Sequence, residues 1–314
     1  MKAIIVTDRT AGIAGMRLVD RPDPDVARLA SLDGASYGDV VVEVHASGFT
    51  GNELDWPSTW TDREGRDRSP TIPGHEVAGV VTALSYGAAG LAVGQRVFGL
   101  TDWTRDGSLA EYAVVEARNL APLPGDVDFV TGAGVAMTGL TAWQGLFEHG
   151  RLTAGQTVLV HGAAGAVGSM AAQLARDAGA YVVGTGRASH RLAALDFGAN
   201  EFLDLENDDL DDAAGVDLVF DVFGGDIGRR SVALVRPGGT FVTVAGPPEV
   251  RPTDARSVDF VVVSDRAQLT EIAHRVRTGR VRPHIGRVAE LADAASALDP
   301  ATRAAGKTVI RIRP

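Results

Sequence analysis

The sequence predicts an α/β fold in two parts: a β-rich region, then a parallel sheet with helices on both faces. Three observations carry this. Up to about residue 120 the chain is a series of short segments rich in β-branched residues, separated by Gly, Pro and Asp clusters. Beyond about residue 150 strand-like and helix-like segments alternate, the pattern of right-handed crossovers in a parallel sheet. Between two of those segments lies HGAAGAVGSMAAQLA (161–175), a glycine-rich turn at the head of a helix.

In order, KAIIV, GDVVVEVHA, HEVAGVVTAL, QRVFGL and LAEYAVV are the strands of the first part. DFVTGAGVAMTGLTAWQGLFEHG is helical, with Gly150 as its stop. Then follow TVLVHG (strand), AVGSMAAQLARDAG (helix), YVVGTG (strand), SHRLAALDFG (helix), EFLDL and DLVFDVFG (strands), DIGRRSVALVRPGG (helix) and TFVTVAG (strand). SVDFVVV is a further strand, followed by the helix DRAQLTEIAHRVRTG. The tail closes on a strand in GKTVIRI that is expected to return to the first part. DLENDDLDD (204–212) reads as a solvated loop or helix start; it lacks the sixth-position glycine of an EF-hand loop.

Bulk properties narrow the function classes. The 314 residues are 45% hydrophobic and 22% charged, a globular composition with ample apolar material for a core. A formal net charge of −10 argues against a nucleic-acid or anionic-membrane surface, which needs clustered Lys and Arg. The N-terminal apolar run is too short for a signal peptide and no run of about 18 apolar residues occurs, so a cytoplasmic location is expected. Cysteine is absent, which removes disulfides, thiolate metal sites, thiol nucleophiles and redox dithiols.

The glycine turn points to a nucleotide. TVLV (157–160) reads as a buried strand. Val167, Met170, Ala171, Leu174 and Ala175 fall on one helical face behind the turn. The first N–H groups of such a helix have no partner, and its dipole favours negative charge; a diphosphate satisfies both. Ala163-Ala164-Gly165-Ala166-Val167-Gly168 matches the dinucleotide fingerprint with alanine for the first glycine. Gly165 lets backbone approach the pyrophosphate, flanked by Ala164, Ala166 and Val167, and Gly168 lets the helix pack closely. An NAD site usually has an acid about 20 residues on. Here no acid occurs before Asp196, and the strand tip offers Gly186, Arg187 and Arg191 instead. That suits the 2′-phosphate of NADP(H), unless the two arginines are surface charges at a helix start.

Taken together, PGHEVAGVV (73–81), VGQRVFGL (93–100), GLTAWQGL (139–146), HGAAGAVGS (161–169), LVRPGGTFV (234–242) and GKTVIRI (306–312) resemble the medium-chain dehydrogenase/reductase superfamily. They are most similar to its zinc-free quinone oxidoreductase group. The resemblance implies a Rossmann doubly wound sheet (124–265) inserted into a β-rich, GroES-like barrel domain (1–123 and 266–314). It implies that Thr141, Phe223, Ala245, Phe260, Val261, Val262 and Lys307 lie along the cofactor, and that SVDFVVV pairs across a homodimer. The Cys, His and Cys that hold catalytic zinc in other members correspond to Thr50, His75 and Met137, a poor zinc set. His75-Glu76 does not extend to HExxH, because position 79 is Gly, so His75 is expected to be a hydrogen-bonded structural residue.

Without a Lewis acid, oxidation of a plain alcohol has no evident route to its alkoxide. A conjugated electrophile spreads the incoming charge to a distant oxygen, where one or two hydrogen-bond donors stabilise it. The sequence is therefore expected to encode an NADPH-dependent reductase of a small quinone or α,β-unsaturated carbonyl. FTGNELDWPSTW (49–60) is expected to shape the substrate pocket: Phe49, Trp56 and Trp60, with Trp103 and Met137, as its walls, Thr50 and Asn52 as candidate donors. The tryptophans could equally cap the core, and Asn52 could fix a turn. No GxSxG elbow is present, and His45, His149, His161, His190, His274 and His284 fit no triad motif; His161 reads as a satisfied core histidine. Two alternatives remain: an enoyl or carbonyl reductase of a biosynthetic intermediate, and a non-catalytic NADPH-binding protein.

Overall fold

The computed structural model describes residues 1–25, 37–302 and 304–314. It divides into two compact units. The first comprises Met1–Met137, Ser264–Arg277 and Ile285–Pro314, the second Thr138–Val263 and Thr278–His284.

The first unit is β-rich. β1 (Lys2–Ile5) and β2 (Arg17–Asp20) form an antiparallel pair. A seven-stranded sheet contains β3 (Asp39–Gly48), β4 (Glu76–Leu84), β5 (Arg96–Leu100), β6 (Tyr112–Glu116), β7 (Leu120–Pro122), β14 (Ile285–Glu290) and β15 (Lys307–Arg311). Its order is β14-β15-β3-β4-β5-β7, and β6 also pairs with β3. The chain's last strand thus returns to lie antiparallel to β3, as the tail pattern predicts. β3 shows why these residues form strands. Val40, Val42 and Val44 alternate onto one face, where they pack with Val77, Val81, Val97 and Val115. Each such buried side chain contributes about 1.5–3 kcal/mol.

The second unit is a parallel six-stranded sheet in the order β10-β9-β8-β11-β12-β13. Its strands are β8 (Thr157–Val160), β9 (Tyr181–Gly186), β10 (Glu201–Asp204), β11 (Val216–Asp221), β12 (Val235–Thr243) and β13 (Arg256–Asp259). This is a doubly wound order that reverses beside β8, and ligands in such sheets bind outside the strands' carboxyl ends at the reversal. Val183, Leu159, Val219 and Phe241 stand side by side across the register and are all buried, so each strand's apolar run is used.

Three expectations change in detail. The first boundary lies at Met137, inside the helix Phe129–Trp143, and not at 123. Gly132 and Gly134 in that helix press on Leu123, Ala78, Ile285 and Val309 of the first unit, whereas Gly145 presses on Phe220 of the second. Residues 278–284 belong to the second unit, because Gln173 bonds both the N–H and the C=O of Arg282. SVDFVVV is strand only to Asp259; the Phe260 N–H still reaches the Thr243 carbonyl at 3.3 Å, and the backbone leaves the ladder beyond it.

Candidate active site

The glycine turn follows β8. His161 is fully buried; its Nδ1 meets Thr185 Oγ1 at 2.8 Å and its Nε2 meets Ser231 Oγ at 2.7 Å. Ser231 already donates its proton to the Ile227 carbonyl, so its oxygen accepts from Nε2–H and Nδ1 accepts from Thr185. Burial pushes the His161 imidazole down to about 4, against the pull of Asp221, so it stays neutral. This is the satisfied core histidine the sequence suggested, and it ties β8, β9 and the helix Gly225–Ser231 behind the turn.

Gly162 takes φ +62°, a conformation glycine adopts without strain. The helix Ala166–Asp177 starts on Gly165 with no side-chain cap, so its leading N–H groups are bare. A Cβ at Gly168 would lie 2.1 Å from the Gly162 carbonyl oxygen, whereas one at Gly165 would lie 3.1 Å away. Gly168 is therefore the stricter requirement, and it holds the helix against the turn itself. Ala164, Ala166 and Val167 complete the rim, and His284 Nδ1 lies 2.7 Å from the Ala164 carbonyl oxygen. Val167 is only half-buried; Met170, Ala171, Leu174 and Ala175 are buried as their spacing predicts.

At the tip of β9, Gly186 is buried and Arg187 is exposed, with no hydrogen bond to its guanidinium among the described residues. Arg191 turns away. Its guanidinium lies over the Phe202 ring and donates to the Phe202 carbonyl at 2.9 Å and to Asp208 at 3.2 Å. Of the two arginines, only Arg187 is left open for an anion.

The loops after β11 and β12 are held by Asp221, which the motif reading missed. Buried at the end of β11, its carboxylate accepts from the backbone N–H groups of Phe223 and Gly224 and from Thr243 Oγ1. Phe223 and Ala245 stand exposed above it. Gln144 bonds both N–H and C=O of Val263, and the Phe260 ring lies 4.4 Å from His149, tilted to it by 42°. Val261 is 76% exposed, Val262 is buried, and Thr141 is buried in its helix.

The first unit carries the aromatic loop that follows β3. Two predicted pocket walls are core instead. Phe49 and Trp60 join the cluster around Ile4, Leu54 and Leu109, and Trp60 donates its indole N–H to the Leu54 carbonyl. Large apolar side chains are drawn into the nearest core, whether after a strand, as Phe49 is, or at the end of the short helix Pro57–Trp60. Trp56 and Trp103 are half-buried, edge to face at 5.5 Å, and both flank the His75 ring, at 5.9 and 5.1 Å. Thr50 Oγ1 points at Met137 Sδ at 3.7 Å, a weak acceptor. Asn52 is exposed and its side chain makes no cap on the turn that follows it.

Glu53, also missed, is wholly buried beneath this loop. Its two carboxylate oxygens accept from the N–H groups of Gly74 and Thr50. His75 corrects an expectation: it is 1% exposed, yet neither ring nitrogen has a hydrogen-bond partner among the described residues. Nδ1 lies 3.5 Å from Glu53 Oε1, beyond hydrogen-bond range. Lys307 is corrected too. Its ammonium is buried in an ion pair with Glu76 and is not presented to a phosphate. Burial pushes the Glu76 carboxyl up, and Lys307 opposes that shift. Gly48 makes the pair possible, since a Cβ there would lie 2.7 Å from the Glu76 carboxyl group.

The Alcohol dehydrogenase GroES-like domain family matches residues 36–125, and the Zinc-binding dehydrogenase family matches residues 197–310. Human quinone oxidoreductase is 30% identical over 234 residues, 71% of this chain and 70% of that protein. The chain belongs to the medium-chain dehydrogenase/reductase superfamily. Within it the chain is quinone oxidoreductase-like, an oxidoreductase enzyme. The tomato (Solanum lycopersicum) 2-methylene-furan-3-one reductase is 34% identical over 259 residues, 77% of this chain and 64% of that protein. The spectinabilin polyketide synthase protein NorB of Streptomyces orinoci is 34% identical over 262 residues, of which this chain spans 12%. The fold of a mycobacterial protein complexed with NADPH superposes with a TM-score of 0.83 at 26% identity, covering 99% of this chain and all of that one. Among the described residues no group of three or more His, Cys, Asp or Glu converges as a metal site. No helix among them is long and apolar enough to cross a membrane.

Proposed function

We propose that the protein is an NADPH-dependent, zinc-independent reductase of quinones or α,β-unsaturated carbonyls. The observation that carries the reading is the uncapped helix start at Gly165, walled by a turn that Gly168 alone fits, with Arg187 open at the next strand tip. The diphosphate would rest on the N–H groups around Ala166 and Val167, and Arg187 would meet the 2′-phosphate. Phe223, Ala245 and Phe260–Val262 would flank the rest of the nucleotide. When bound, the reduced nicotinamide supplies hydride.

The protein's own residues then need only orient a flat electrophile and stabilise charge on its oxygen. Trp56 and Trp103 offer aromatic faces. The Thr50 hydroxyl is free to leave its weak sulfur acceptor for that oxygen. Zinc independence rests on the donor set: a threonine, a histidine and a methionine hold Zn²⁺ poorly. Identity to human quinone oxidoreductase and to the tomato furanone reductase supports the substrate class. Identity to a segment of NorB favours a second reading, reduction of a biosynthetic unsaturated intermediate. A homodimer through the outer edge of β13 is also proposed, supported by that strand's position at the edge of the sheet among the described residues.

The test follows NADPH absorbance with purified protein, 1,4-benzoquinone and cyclohex-2-enone, beside metal analysis of the same sample. Turnover without stoichiometric zinc is expected. Tight NADPH binding with turnover of neither would leave a non-catalytic binding protein, and one bound zinc per chain would end the zinc-independent reading.

A further inference from the structure

His75 combines two features that do not usually coexist. It is 1% exposed, yet among the described residues neither ring nitrogen has a hydrogen-bond partner. Buried polar atoms are nearly always paired, because leaving one unpaired costs free energy, so an exception calls for a cause. Its surroundings supply one. On one side, Glu53 Oε1 lies 3.5 Å from Nδ1, and that carboxylate is fixed by the backbone N–H groups of Gly74 and Thr50. Beside the ring, tilted to it by 44° and 42°, stand Trp56 and Trp103, both half-buried and so open to a ligand. Nε2 is left as a polar atom beside two aromatic surfaces, with no carboxylate of its own.

We propose that His75 donates the hydrogen bond to the substrate's carbonyl oxygen, with Trp56 and Trp103 holding the conjugated ring or enone. This rests on the reductase reading above and adds a residue that the resemblance treats only as a vacated metal position. The ring gives Nε2–H to the substrate oxygen, and Nδ1 faces the Glu53 carboxylate at 3.5 Å. As hydride forms the new C–H bond at the β-carbon, the alkene π bond breaks and its electron pair moves through the carbonyl carbon to oxygen. The enolate accepts the Nε2–H bond there. Water then protonates the α-carbon, giving the saturated ketone, hydroxide and the oxidised nucleotide.

A structural histidine loses stability when removed. A histidine whose nitrogens are unpaired in the free protein does not, but its loss weakens both binding and turnover. The test uses full-length wild type, His75→Phe and His75→Gln. Binding is read by calorimetry with 4-nitrophenol, a flat ring whose anionic oxygen mimics the enolate and which cannot be reduced by hydride at a β-carbon. Turnover is read with cyclohex-2-enone, and folding by thermal unfolding.

In His75→Phe, 4-nitrophenol affinity is expected to fall at least tenfold and kcat at least tenfold, kcat more than KM rises, because the donor acts most strongly on the developing charge. The melting temperature holds or rises, and NADPH affinity stays within twofold. His75→Gln, which returns an N–H donor, regains part of both losses. No 4-nitrophenol binding by wild type, unchanged binding in His75→Phe, or a glutamine variant no better than phenylalanine would overturn the assignment. If wild type turns over no enone or quinone, the reductase reading fails by itself, and the binding arm still judges His75.

Discussion

His161 makes acid stability a measurable consequence of how the glycine turn is anchored. In the folded protein burial holds the imidazole down to about 4, against an ordinary value of 6.5. The unfolded chain takes up a proton as pH falls through about 6.5, while the folded chain resists until about 4. The unfolded state therefore binds more protons throughout that window, and stability falls with pH across it. Above about 6.5 the group costs nothing, and below about 4 no further loss accrues. Taking one pKa unit as about 1.4 kcal/mol, the loss is about 2 kcal/mol at pH 5 and about 3 kcal/mol at pH 4. Other titrating groups contribute as well, so the measurement is a difference. Urea unfolding of wild type and His161→Gln is compared at several pH values from about 8 to about 4. The variant keeps an amide between Thr185 and Ser231 but cannot titrate. The advantage of wild type over variant should shrink by those amounts as pH falls. Parallel curves, or an imidazole resonance of His161 titrating near 6.5 in the folded protein, would refute the reasoning.

Gly168→Ala places a Cβ 2.1 Å from the Gly162 carbonyl oxygen, so the turn must move; NADPH affinity by fluorescence titration should fall at least tenfold, about 1.4 kcal/mol, with the circular dichroism spectrum retained. Arg187→Ala should weaken NADPH at least tenfold more than NADH, and equal weakening would remove Arg187 from the 2′-phosphate. Lys307→Met strips the counter-charge from buried Glu76 and should cost about 3–5 kcal/mol in thermal unfolding, with Glu76→Gln in the same chain recovering part of it.

The strands and the glycine turn were legible because they rest on local signals. β-Branched runs between breakers became β3, β4 and β5, and a glycine every third residue before an apolar helical face became the turn after β8. The sites that misread are those where two residues far apart in sequence compete for a role. Trp60 and Trp56 lie in one aromatic segment, and nothing local says that Trp60 will find Leu54 and the core while Trp56 faces His75. Nothing local ties Lys307 to Glu76, 231 residues away, although their charges pair in the core. Arg187 and Arg191 looked alike until Phe202 and Asp208, from the next strand and its loop, claimed one of them. Strand SVDFVVV ran too long on paper because Gln144, from a distant helix, takes the backbone of Val263 out of the ladder.

The two missed acids share one physical role. Asp221 and Glu53 are both fully buried, and each accepts hydrogen bonds from backbone N–H groups on two or more loop residues. A buried carboxylate is tolerated only when its lone pairs are filled, so each acid demands one loop conformation, and that conformation presents what stands above it. Above Asp221 that is Phe223 and the backbone turning toward Ala245; beside Glu53 it is Thr50 and the imidazole of His75. Replacing either acid by its amide puts an NH2 where a carboxylate oxygen accepts, so a backbone N–H that donated to that oxygen is left facing a side-chain donor. The loop should loosen while the sheet behind it stays intact. In Asp221→Asn that loosening should appear as faster amide hydrogen exchange at Phe223 and Gly224, with exchange in β8 and β11 unchanged. Uniform acceleration through β11 would mean that Asp221 supports the sheet and not the loop.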